Sequence, residues 1–313
     1  MTDDALAGRY RKLLACYPRW YREERGAELV GTLLDGTRPG QVRPSGREAR
    51  ALILEGLRLR AGTSVHRTAR ASLAGGLQVA VLLLIALSVL RDVFTFGHGP
   101  DGPFPLPQPV WWVIVTALVL CEAALFGLVA AGRFGAAVPA SVVTGVLATV
   151  GYPVLVDEPE FLMYRALLVG ALVNLAGVVA LWLLSRRGGR ITAGPVMLAW
   201  AVVPPVTLLL PDIVGAVGYS DLDIWVVVQA VLVLLYLAAL AYAGIDPRPA
   251  LAAVFALTMF LVHIVASVAP VTDSPGDLLV VVCGYLVVAA PPGVAGWLGL
   301  RRQRAIRPLG VRS

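Results

Sequence analysis

The chain has 313 residues, 58% of them hydrophobic and 15% charged, whereas soluble domains hold about 45–50% apolar residues. That excess, with a mean hydropathy of +0.78, excludes an ordinary soluble fold and assigns the chain to the membrane proteins. Its 26 basic and 20 acidic residues leave a net charge of +6, and Lys12 is the single lysine. The arginine usage suggests GC-rich bacterial coding and so a bacterial inner membrane.

Residues 1–70 form a polar head ahead of any apolar run. Their spacing predicts three amphipathic helices at about 5–16, 19–34 and 46–60. Leu6, Tyr10, Leu13, Leu14 and Tyr17 share one face; Tyr21, Leu29, Leu33 and Leu34 mark a second; Ala49, Leu52, Ile53, Gly56 and Leu57 mark a third. Pro18 can open the second helix, Ser45 and Glu48 read as a capping box for the third, and TRPGQVRPSG breaks the chain between them. The expected head core is Leu13, Leu14, Leu29, Leu33, Leu52, Ile53 and Leu57. A head this small is expected to lean on the bilayer or on a partner. Its fourteen basic and eight acidic residues suit anionic lipid. Nucleic acid is not an expected partner, because no recognition helix is present and membrane topology already accounts for much of the basic excess. Trp20, Tyr21 and Arg25 are the candidate partner-docking residues, since aromatic residues and Arg favour interface centres.

Eight apolar runs follow, at 73–90, 110–131, 136–156, 164–184, 192–210, 223–244, 249–270 and 277–299. Each approaches the roughly 20 residues that cross a bilayer core of about 30 Å. With the N-terminus inside, only Arg91 and Arg165 among the basic residues fall outside, in keeping with the positive-inside rule. The first run begins after some seventy polar and charged residues, so it is expected to stay as an anchor rather than serve as a signal peptide. The expected architecture is all-α: a cytoplasmic three-helix domain at 1–70, an eight-helix transmembrane domain at 71–300 and a basic cytoplasmic tail at 301–313. Outer loops carry acids such as Asp157, Glu158, Asp212 and Asp273. The first, RDVFTFGHGPDGPFPLPQP, reads as a stiff, proline-rich spacer.

Few motifs point to chemistry. GHGPDG at 97–102 matches G-x-G-x-x-G in letters, but it lies in a proline-rich loop rather than between a strand and a helix. A Walker motif is excluded by the lone lysine. His66, His98 and His263 are too scattered for a zinc helix, and the three cysteines give neither a disulfide framework nor metal spacing. Neither an enzyme nor a bound cofactor or metal is expected. Ala137, Ser141, Gly145 and Thr149 form a small-residue stripe for close helix packing. Glu122 lies mid-helix, where a carboxylate costs about 2.5–3.5 kcal/mol and marks a functional position by default. At about 1.5 Å per residue, Glu122 lies about 18 Å and Asn174 about 15 Å below the outer boundary, with His263 about 10 Å below it. The expected polar cluster is therefore Glu122, Asn174 and His263, with Asn174 as the direct partner.

Leu13-Leu14, Tyr17-Pro18, Trp20-Tyr21-Arg22, Glu28-Leu29 and Leu33-Leu34 together resemble the helical prefix domain, of HAAS or permease-prefix type, of bacterial multi-span membrane proteins. The resemblance covers about the first fifth of the chain. It implies a cytoplasmic signalling or docking module, often encoded beside a PadR-like transcriptional regulator. The expected function is a non-enzymatic signalling or regulatory membrane protein whose head docks a cytoplasmic regulator. The alternative is a small-solute or ion transporter, or an accessory permease subunit, using Glu122.

Overall fold

A computed structural model describes residues 2–38, 40–60, 69–97, 108–155, 160–186, 192–208, 221–268 and 275–305. Among these residues all regular structure is helical. The head holds α1 (Thr2–Leu13), a 3-10 turn (Leu14–Cys16), α2 (Arg19–Asp35) and α3 (Gly46–Arg60). Among the described residues eight apolar helices follow: α4 (Ala69–Gly97), α5 (Gln108–Ala130), α6 (Phe134–Leu155), α7 (Glu160–Ser185), α8 (Pro195–Leu208), α9 (Asp221–Tyr242), α10 (Arg248–Val268) and α11 (Pro275–Ala305). Most of the proline-rich spacer, His66, the acids Asp157, Glu158, Asp212 and Asp273, and the tail beyond 305 lie outside the described residues.

Within the described residues three helices are long and apolar enough to cross a membrane: α4 through Ala69–Leu90, α5 through Trp112–Ala130 and α11 through Val282–Arg302. The other five offer shorter described apolar stretches, among them Phe134–Thr149 and Arg248–Thr258.

The head closes on its own core of Leu6, Ala7, Tyr10, Leu14, Tyr17, Val30 and Leu52, flanked by Leu13, Leu29 and Leu33. Aromatic rings of α1 and the turn take the places expected for Ile53 and Leu57, which stay half-buried. The reason is geometric. A Cβ on Gly56 would come within 2.8 Å of the Tyr17 ring and 3.0 Å of the Cys16 backbone, so α3 meets the turn through a glycine. The capping box is formed: the Ser45 amide donates to Glu48 Oε2 at 3.0 Å, and the Glu48 amide donates to Ser45 Oγ at 3.2 Å. The Ser45 amide bond holds the Glu48 carboxyl below its ordinary range.

Burial, then the nearby Glu55, pushes the Tyr17 hydroxyl up to about 12. A phenol whose folded value exceeds its unfolded value of about 10 contributes stability below pH 10 and loses it as pH rises from 10 to 12. The thermal stability of the full chain, followed by circular dichroism, is therefore expected to fall across that interval. Tyr17→Phe should flatten the response; an unchanged response in that variant would assign the transition to another group.

In the bundle α4 is central, packing against α5, α7, α8, α10 and α11, while α6 packs between α5 and α7. The α5–α6 connection is a Schellman turn. Gly132 takes φ +68°, its amide donates to Val129 O at 3.1 Å, and the Arg133 amide donates to Leu128 O at 2.9 Å. The expected small-residue stripe on α6 faces inward: Ala137, Ser141 and Gly145 are buried, and Gly145 lies against Asn174 of α7. In α11, Pro292 cannot donate to Val288 O, and the Tyr236 hydroxyl of α9 donates to that carbonyl at 2.8 Å instead.

Candidate functional site

Two polar constellations stand out. The first surrounds Glu122 on α5, which is 5% exposed. The Ser88 hydroxyl of α4 donates to its Oε1 at 2.6 Å, a short, charge-assisted distance if the carboxyl is ionised. Asp92, one helical turn beyond Ser88 on α4, is also buried. Ser88 of the neighbouring helix is thus a hydrogen-bond partner of Glu122, where Asn174 is the expected one. Asn174 is half-buried against Gly145, on the far side of α6 in chain order, and no hydrogen bond joins it to Glu122 among the described residues. His263 lies on α10, with its side chain outside the described residues. The physical reason for the difference is packing order: α4 lies directly beside α5, whereas α7 packs chiefly on α6. Depth counting gives height in a membrane but not azimuth.

If Ser88 supports Glu122, Glu122→Gln preserves the fold and Glu122→Leu costs only about 0.6 kcal/mol, the average of measured interhelical hydrogen bonds in membranes. Thermal unfolding in detergent checks this. A loss several times larger in the leucine variant would give the carboxyl a wider structural role.

The second constellation joins head and bundle. Arg58 of α3 donates from Nε and Nη2 to Gly244 O at 3.2 and 3.0 Å, and its Nη1 reaches Glu55 at 3.3 Å. Gly244 belongs to the turn that ends α9, so a cation sits at the negative end of that helix. Two residues on, Asp246 is fully buried and Arg248 is 7% exposed. Arg248 Nε donates to Asp246 Oδ1 at 3.0 Å and Oδ2 at 2.7 Å, and the Arg248 amide donates to Oδ1 at 3.1 Å. Asp246 therefore caps α10 and neutralises a buried guanidinium with the same carboxylate.

Glycines let the neighbouring helices close on this pair. Added Cβ atoms would lie 2.5 Å from Arg248 Cδ at Gly75, 2.8 Å from Leu251 Cβ at Gly76 and 2.8 Å from Pro247 Cβ at Gly299. Neither Asp246 nor Arg248 is among the residues expected to form a site. The available signal was an Asp-Pro step ahead of an apolar run, a helix-start pattern. Nothing local marked Arg58.

The head's candidate docking residues separate. Trp20 is 58% exposed and Arg25 is exposed. Tyr21 is half-buried, stacked on Tyr17 at 5.3 Å and edge-on to Trp20 at 5.6 Å, so its ring packs with the head core. A groove of about 560 Å³ between α9 and α11, lined by Leu240, Val287, Pro291 and Val294 among others, is apolar and does not include Glu122.

Comparison with known proteins finds no matching family model, and no curated protein or solved structure matches the chain.

Proposed function

We propose that the chain is a non-enzymatic multi-span membrane protein of signalling or regulatory type, whose cytoplasmic helical head docks a partner protein and relays that state to the bundle. The observation that carries this reading is the head–bundle junction: a domain with its own core meets the membrane bundle through Arg58 and the α9–α10 turn. The prefix-domain resemblance supports the same role, with a cytoplasmic regulator as the partner. Docking falls to the exposed flank of α2 that carries Arg25, because Tyr21 is engaged by Tyr17. Capture of a cytosolic regulator by the full chain in detergent, reduced in Arg25→Ala, tests it; capture unaffected by that change would move docking elsewhere.

All eight apolar helices are read as spans with both termini cytoplasmic. The head junction, the α5–α6 turn with Arg133, the Arg186 end of α7 and the Arg301–Arg302 end of α11 then share the cytoplasmic side. Arg186 lies over the Trp182 ring at 4.0 Å and Arg301 over Trp297 at 5.3 Å, pairings suited to a bilayer interface. Single cysteines on a cysteine-free background are expected to react with an impermeant reagent in intact cells at positions 101, 158, 221 and 274. Reaction at 188 or 305 in intact cells would invalidate the topology.

A second reading, favoured by the buried Glu122–Ser88 pair, is a small-solute or ion transporter with Glu122 in the path. Proteoliposome flux abolished by Glu122→Gln would select it over the first.

A further inference from the structure

We infer that the α1–α2 corner of the head, tipped by Trp20, is a binding surface for an anionic bilayer. The inference rests on the reading of the eight helices as spans with the head on the cytoplasmic side.

Position comes first. The Tyr10 hydroxyl donates to Glu48 near the start of α3 at 3.2 Å. At the other end of α3, Arg60 Nη2 donates to Ala15 O at 2.7 Å. Helices α1 and α3 therefore run side by side with their C-terminal ends together, and the corner at Leu14–Pro18 lies at the end of α3. That is also the end where Arg58, two residues before Arg60, grips the α9–α10 turn of the bundle. The chain enters α4 from the same end of α3. The corner thus lies at the bundle-proximal end of the head.

Chemistry then selects the occupant. The Trp20 indole is more than half exposed while its edge is steadied by Tyr21, which is itself stacked on Tyr17. An indole combines an apolar body with one N–H donor, the pattern that favours the headgroup layer. Around it Arg11, Lys12, Arg19 and Arg22 are all exposed. The nearby acids are Glu23, Glu24 and, beside Tyr17, Glu55; Glu23 is paired with Arg19 at 2.8 Å and Glu55 with Arg58 at 3.3 Å, and the corner keeps an excess of positive charge. A basic rim beside an exposed tryptophan, at the end of the head that meets the bundle, fits anionic headgroups.

The test uses the full chain with its native cysteines replaced by serine and a fluorescent nitrobenzoxadiazole probe on Ala15→Cys, at the corner, or on Thr32→Cys, at the far end of α2. Both positions are exposed. The protein is reconstituted into vesicles of phosphatidylcholine alone or mixed with phosphatidylglycerol. In the anionic vesicles iodide quenching at position 15 is expected to fall roughly fivefold below that at position 32, with a smaller gap in neutral vesicles. Trp20→Ala, or Arg19→Gln with Arg22→Gln, is expected to close most of the gap while leaving position 32 unchanged. Equal quenching at the two positions in anionic vesicles overturns the inference. So does protection at position 15 that appears only when cytosolic protein is added, which would make the occupant a protein. Failure of the chain to co-float with vesicles overturns the spanning reading itself, whereas co-flotation with an exposed position 15 overturns the lipid contact alone.

Discussion

Replacing Asp246 with alanine is expected to destabilise the full chain in detergent by about 3 kcal/mol, since it takes the carboxylate away from a buried guanidinium. The carboxylate is fully buried, meets two guanidinium nitrogens and also accepts the Arg248 amide at the start of α10. Loss of the cap contributes about 1 kcal/mol of that total. Asp246→Asn keeps an oxygen for the amide and should fall between wild type and alanine. Asp246→Leu combined with Arg248→Met removes both charges and should recover much of the loss, because a buried pair offsets little more than its own desolvation. Thermal unfolding followed by circular dichroism distinguishes the three. An alanine variant as stable as wild type would show that water or other groups already neutralise Arg248.

Gly76→Val should cost about 1–3 kcal/mol, the usual range for inserting carbons into a filled core. The first added carbon meets Leu251 Cβ at 2.8 Å, with Arg248 O at 3.4 Å behind it, so α4 and α10 must separate along a contact that includes the Asp246–Arg248 turn. Leu251→Ala keeps the clashing Cβ and should rescue little of the loss, whereas Leu251→Gly removes it. Gly127→Val is the control: nothing lies within 4 Å of its added Cβ on the exposed face of α5, and its stability should stay within about 0.5 kcal/mol of wild type. If the two valines cost the same, the α4–α10 contact is looser than its glycines imply.

Expectation and structure agree most closely in the head. The breaks at Pro18 and at the Thr37–Gly46 linker, and the reciprocal Ser45–Glu48 cap, are local events among residues a few positions apart. Ile53 and Leu57 are among the expected core residues, yet both stay half-buried while Tyr10 and Tyr17 are buried in that core. Period alone cannot decide which of two apolar faces wins a small core; the closer approach of α3 at Gly56 decides it. Glu122 is buried, and Ser88 rather than Asn174 donates to it.

Composition and periodicity were enough to derive an all-helical chain with a polar first segment and apolar helices after it, because these follow from water and an apolar medium acting on each segment by itself. Only the tertiary structure decided that α4 is the central helix, that Ser88 meets Glu122, that Asp246 neutralises Arg248 between glycines, and that Arg58 ties the head to the end of α9. Each of these is a contact between segments distant in the chain, set by which helices lie side by side and how each is rotated about its own axis. Hydropathy and depth carry no information on either, since every rotation about a helix axis leaves a residue at the same height.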